Sequence, residues 1–286
     1  MSENPKTEKF DVKHTFLIGL AFFVVEIAWN MYDSQVNISL LAYIPSIALV
    51  GLIMGLDNAV GVIVQPIMGN VSDNTRTKYG RRMPYLMIGI PAAAVFFALI
   101  AFETSLFSLL FFMFCFMFSM AFFRSQAVAL MPEFVKPEHR SKANSIINMM
   151  SSISLIVIGL INIFLVDSSL QLSFITVSII MVATLIVLIL TVKETESYGW
   201  QLLMELEEKG LDEKVGQKEN ISLKESFQTM LSEKDKSTLY MLLAIFFLSV
   251  GWYALRGLIT AYGVEVLGLS RGIAGGITIY AGISFL

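Results

Sequence analysis

The segment GNVSDNTRTKYGRR at residues 69–82 separates two apolar stretches, each about twenty residues long. Asp73, Arg76, Lys78, Arg81 and Arg82 crowd into it, with Gly69 before them and Gly80 among them. An ionised side chain at mid-bilayer costs at least about 2.5–3.5 kcal/mol on insertion scales, so this loop cannot enter hydrocarbon. It must stand on one membrane face, and it forces the stretches on either side to cross as a pair.

The rest of the chain agrees. Hydrophobic residues make up 56% and charged residues 15%, with a mean hydropathy of +0.71. A soluble domain carries about a quarter charged residues. Apolar segments run at 15–34, 44–69, 84–102, 106–131, 142–166, 171–192, 237–260 and 272–286. The first seven reach the length a spanning helix needs at ~1.5 Å per residue. None alternates with a period of two, which argues against a membrane β-barrel. The expected fold is an all-α polytopic membrane protein. The eighth segment stops at Leu286 inside an apolar run, the expectation for a chain cut within a helix or ending on an incomplete one. The polar tail at 1–13 leads into a segment long enough to span, so no cleavable signal peptide is expected. Cys115 is the sole cysteine, which excludes an internal disulfide and a multi-cysteine metal site. His14 and His139 have no spaced ligand partners, so no metal is expected, and no nucleotide-binding loop or activated nucleophile is visible. Neither an enzyme nor a nucleic-acid binder fits.

Topology follows from the basic residues. All Lys and Arg except Arg124, Arg256 and Arg271 fall in 1–14, 70–83, 132–142 and 193–236. That asymmetry places these segments and the amino terminus in the cytoplasm, with the plasma membrane as the expected location. The organisation is a tail at 1–14, a six-helix bundle at 15–192, a cytoplasmic loop at 193–236 and the first helices of a second bundle at 237–286. In the loop, WQLLMELEEK and SLKESFQTMLS have the pattern of amphipathic surface helices. Six spans, a charged loop and further spans is the plan of a transporter whose halves rock about a midplane site. The plainer alternative makes the loop a solvated tail between unrelated spans.

Ionisable residues inside spans normally face a cavity and are paired. Glu26, Asp33, Asp57, Arg124 and Arg256 qualify. Counted from the basic end, Glu26 and Asp57 lie about eleven or twelve residues deep and Arg124 about seven, an axial gap of roughly 6–8 Å. An extended arginine reaches that far. Two acids beside one arginine would not both stay ionised easily, which is what proton coupling requires; the alternative is a buried structural ion pair. Asp33, near the outer face, is expected to meet water, and Arg256 either approaches a helix end or joins the site. Polar and aromatic groups nearby are Trp29, Asn30 and Tyr32 in the first span, Gln126 in the fourth, Asn144 and Asn148 in the fifth, and Trp252 and Tyr253 in the seventh. They would serve a sugar's hydroxyls and ring face, or else pack the helices and line the interface. Gly51 and Gly55 form a small-xxx-small pair expected to let helices approach closely.

Residues 69–82 also resemble the loop signature between the second and third helices of the major facilitator superfamily, through Gly69, Asp73, Gly80, Arg81 and Arg82. QPIMG before the loop and MPYLMIG after it resemble the glycoside–pentoside–hexuronide branch and the related sucrose-type proton symporters. GLIMGLDN at 51–58 and FRSQAVALMPEFVKPEHRSKANSIINMM at 123–150 resemble the sucrose-type group. The resemblance implies a major facilitator-type helical bundle in which Asp73, Arg81 and Arg82 latch the cytoplasmic helix ends, with Glu133 as partner for either arginine. Simple positive-inside anchoring is the alternative. Melibiose-type members bind sodium through two acids in the second helix, and Gly61 and Gln65 occupy those places here, so that site is absent and H+ is the expected coupling ion.

The combined expectation is a proton:sugar symporter working by alternating access in a lipid bilayer, with no cofactor. Substrate is expected at Glu26, Trp29, Asn30, Arg124, Gln126, Asn148, Trp252 and Tyr253, and coupling at Asp57 and Glu26. A carrier of another solute, such as a lipid or drug, and a truncated non-transporting membrane protein are the alternatives.

Overall fold

The computed structural model describes residues 10–209, 232 and 236–284, without the side chains of residues 252–255 and 257. Among these residues the chain is helical nearly throughout and has no strand beyond one isolated bridge, Thr77 to Gly80. The helices are α1 (Val12–Leu41), α2 (Ile47–Met54), α3 (Leu56–Asp73), α4 (Met83–Ile100), α5 (Leu106–Phe134), α6 (Arg140–Ile161) and α7 (Leu170–Thr191). They continue as α8 (Tyr198–Glu208), α9 (Ser237–Glu265), α10 (Arg271–Gly276) and α11 (Thr278–Ser284). Among the described residues six spans are long and apolar enough to cross a membrane, with α2 and α3 together forming one of them.

In hydrocarbon every backbone group must be satisfied within the segment, so apolar runs become helices and only their ends need partners. Serines supply those partners at the face opposite the basic loop. Ser46, Ser105, Ser169 and Ser270 open α2, α5, α7 and α10, each hydroxyl accepting the N–H three residues on. At the basic face Asp11 does the same for α1, accepting the His14 N–H at 2.9 Å.

Two spans differ from the sequence expectation. The second breaks at Gly55, which turns the chain between α2 and α3. The fifth ends its regular helix at Ile161 and finishes in a π-helical turn, Asn162–Val166. The eighth apolar segment forms the two short helices α10 and α11. In the loop after α7 the first amphipathic piece lies in α8; the second, at 222–232, lies outside the described residues apart from Ser232.

Helix α1 is the central post. It packs against α5, α6, α7 and α9, and Val25, Ile27, Ala28, Met31 and Tyr32 are fully buried. Phe116 of α5 lies against both Trp29 and Tyr32 and touches Phe97 of α4, which stacks on Phe174 of α7 at 4.7 Å. This aromatic column fixes how α1 is turned, and therefore which residues it presents on its remaining side.

Candidate functional site

That side carries Glu26, Trp29, Asp33 and Asn37, spaced three and four apart and so on one helical face. They line a cavity of about 420 Å³ with Val50, Gly51 and Met54 of α2, Asp57 and Asn58 of α3, Arg124 of α5, and Arg256 and Ala261 of α9. Gly51 has open space beside it, so the Gly51/Gly55 pair is a helix break and a cavity wall rather than a packing seam. The break puts Asp57 in the first turn of α3, where free N–H groups favour a carboxylate. Asp57 also accepts a hydrogen bond from Asn58 at 2.9 Å.

Five ionisable residues from four helices thus face one space. Glu26 and Arg124 make no hydrogen bond or ion pair among the described residues. The Arg124 guanidinium lies 5.9 Å from the Trp29 ring centroid, a cation–π separation. Among the described residues the Trp29 indole N–H has no acceptor although the residue is 7% exposed. A donor left bare in this way costs free energy unless something fills the cavity. Asp33 departs from expectation: it is paired inside the cavity, its Oδ2 lying 3.1 Å from Arg256 Nε. Arg256 joins the site and donates from Nη2 to Asn30 Oδ1 at 2.5 Å. Asn30 in turn donates to Ser154 Oγ of α6 at 2.8 Å, so it is a buried link beside the cavity, not part of its wall.

Other expected contacts fall elsewhere. Gln126 is fully buried between α5 and α3, donating to the Met68 carbonyl at 2.8 Å. It straps two helices together and does not line the cavity. Asn148 and Asn144 are exposed on α6 and do not line the cavity. The side chains of Trp252 and Tyr253 lie outside the described residues.

At the basic face a second polar assembly is closed on itself. Arg81 grips Glu133 with both prongs, Nε to Oε1 at 3.1 Å and Nη2 to Oε2 at 2.6 Å. Arg82 donates to Ser72 Oγ and pairs with Asp73, whose carboxylate also lies 3.7 Å from Arg81. Glu194, just past α7, accepts the N–H groups of Arg81, Arg82 and Met83 at 2.8–3.0 Å. The carboxylate that caps the α4 amino terminus is therefore Glu194. Burial pushes the Glu194 carboxyl up from its ordinary range, and the three N–H donors pull it back. Burial alone would lower the Arg81 pKa, but Glu133, through its hydrogen bond and its charge, drives it upward on balance. Gly80, at φ +103°, makes the turn that presents these N–H groups, and a Cβ there would collide with the Glu194 carboxyl. Nothing in the sequence singles out Glu194 or shows its target.

At the opposite face Asp167 accepts from Gly272 N at 2.8 Å and from Ser270 Oγ at 2.5 Å, capping α10. Gln35 donates to Asn162 Oδ1 at 3.0 Å. No group of three or more metal-ligating residues occurs among the described residues.

Comparison with protein families gives a match to the model described as Major Facilitator Superfamily, over residues 15–286. No curated protein matches the sequence significantly.

Proposed function

The chain belongs to the Major Facilitator Superfamily and is an integral membrane protein of a transporter family; from that premise we propose that it carries a sugar together with a proton through the cavity beside α1. The observation that carries this reading is the set of unsatisfied groups: Glu26, Arg124 and the Trp29 indole N–H face one space and, among the described residues, have no hydrogen-bond or ion-pair partner. Arg124 and Trp29 supply donors and a flat ring for a sugar's hydroxyls and C–H face, and Asn58 adds an amide. Asp57 and Glu26 are the proton carriers, acids beside a single unpaired guanidinium. A proton or solute shifts the balance of access states only by binding one state better than the other.

In this reading the basic face is cytoplasmic, as the Lys/Arg distribution requires. Asp73, Arg81, Arg82 and Glu133 then form the cytoplasmic latch, braced by Glu194. One observation favours a second reading: Val50, Met54, Leu258 and Ala261 give the cavity an apolar wall, which suits an amphiphile such as a lipid or drug.

Proton-driven uptake of labelled disaccharides into vesicles tests both. The parent should accumulate sugar when an inward proton gradient is imposed, and Asp57→Asn and Glu26→Gln should lose most of that accumulation. Both variants coupling as well as the parent would overturn the site. Transport of an amphiphile but of no sugar would favour the second reading.

A further inference from the structure

Asp33 and Arg256 stand apart from the other cavity charges because they are already joined, and because they join different parts of the molecule. Asp33 belongs to α1, the central post; Arg256 belongs to α9, the first helix after the linker. Among the described residues theirs is the one ion pair between α9 and the preceding helices. The Arg256 guanidinium also reaches Asn30, and Asn30 reaches Ser154, so a polar chain runs from α9 through α1 to α6. Both Asp33 and Arg256 line the cavity, so solvent and solute inside it have access to the pair.

The surroundings of Asp33 leave few other charges to consider. Across the cavity it feels Asp57 of α3, Glu26 of its own helix and Arg124 of α5, besides Arg256 of α9. Helices α2 and α7 carry no charged residue, and those of α6, Arg140 and Lys142, stand in its first turn at the basic face. Arg271 of α10 meets Gln35 only through its backbone carbonyl. Ionised Asp33 therefore has one direct counter-charge, and that counter-charge sits on the helix that must move if the two parts of the molecule rock.

We propose that the Asp33–Arg256 bridge is a proton-operated strap between α1 and α9. A proton from cavity water adds to Asp33 Oδ2, the guanidinium keeps its charge, and the ion pair becomes a neutral acid beside an arginine that has lost its counter-charge and keeps only the neutral Asn30 oxygen. An unpaired guanidinium is costly against hydrocarbon and gains by turning toward water or solute, so protonation favours arrangements in which α9 has left α1. The strap rests on the transport reading only for its consequence; its chemistry and its test need no identified solute.

The test is a distance. With Cys115→Ala as background, nitroxides at Ala42→Cys and Val266→Cys, both exposed at the opposite-face ends of α1 and α9, report the gap in reconstituted protein without substrate. The parent should be short at pH 8 and lengthen by roughly 5 Å or more, a helical turn, at pH 5. Asp33→Asn and Arg256→Gln should be long at both values. The charge-swapped pair Asp33→Arg with Arg256→Asp should recover both the short distance and its pH step, a rescue that packing alone would not give. A parent distance that ignores pH, or an Asp33→Asn protein that keeps the parent's response, overturns the strap. A pH step in a protein that carries no sugar leaves the strap standing and removes the sugar reading.

Discussion

At the basic face Glu133 and Glu194 are buried and hold, between them, the Arg81 guanidinium and the N–H groups of Arg81, Arg82 and Met83. In the cavity Glu26 and Arg124 are half-buried and, among the described residues, make no hydrogen bond or ion pair. The same residue types thus appear in one place as a saturated network and in the other as open valences. Saturated networks make a unique, rigid arrangement, and removing one member strands the rest. Open valences add little to the fold and are free to bind. Stability and transport should therefore respond to substitutions in opposite ways at the two places.

The sharpest break of that contrast is at Glu194. Glu194→Ala strips the N–H groups of Arg81, Arg82 and Met83 of their acceptor at the start of α4. We expect a loss of about 3 kcal/mol or more, read as a lower midpoint in thermal unfolding of purified protein. Glu133→Gln follows, at about 2–3 kcal/mol: Arg81 keeps one neutral amide oxygen but loses the paired carboxylate, with Asp73 at 3.7 Å as its remaining ion pair, although Arg81 keeps partial access to water. If either variant unfolds like the parent, the basic-face network is not the fastening described here.

How much of this could be read beforehand differs between the two places for a physical reason. Hydropathy marks where helices cross, and Lys and Arg mark which ends share a face, so the spans and the loop at 69–82 were visible. The Arg81–Glu133 contact was also within reach, because both residues sit at span ends whose depth is fixed. Hydropathy does not say which way an apolar helix is turned. Depth along a span therefore placed Gln126 and Asn148 but not the face each occupies, and neither lines the cavity. Asp33 was assigned to water because its depth suggested it; its pairing with Arg256 bridges 223 residues of sequence and needs the packing of α9 on α1. Glu194 opens a single 3-10 turn past the last apolar residue of α7, where neither period nor depth applies.

The cavity gives the complementary expectation. Arg124→Gln removes a cation that no carboxylate grips, so thermal stability should stay within about 0.5 kcal/mol of the parent. Proton-driven uptake should fall at least tenfold, about 1.4 kcal/mol in transition-state terms. An Arg124→Gln protein that is as unstable as Glu133→Gln would mean the guanidinium is structural after all.

The smallest effect marks the boundary of the basic-face network. Arg76 meets Glu207 of α8 at 2.7 Å, and both side chains are about a third exposed. Geometry alone would class this pair with Arg81–Glu133, whose shortest contact is 2.6 Å. Exposure separates them: water already solvates Arg76, which also donates to the Asp73 and Thr75 carbonyls at 2.6 and 3.1 Å and keeps those bonds when Glu207 is changed. Glu207→Gln should therefore cost no more than about 0.5 kcal/mol. The cost should vanish near 1 M salt, where the Debye length falls to about 3 Å. The Glu133→Gln loss should persist in the same salt, because a buried, bidentate pair is not screened by ions that cannot reach it. Equal salt sensitivity in the two variants would place the Arg81–Glu133 pair at the surface with Arg76.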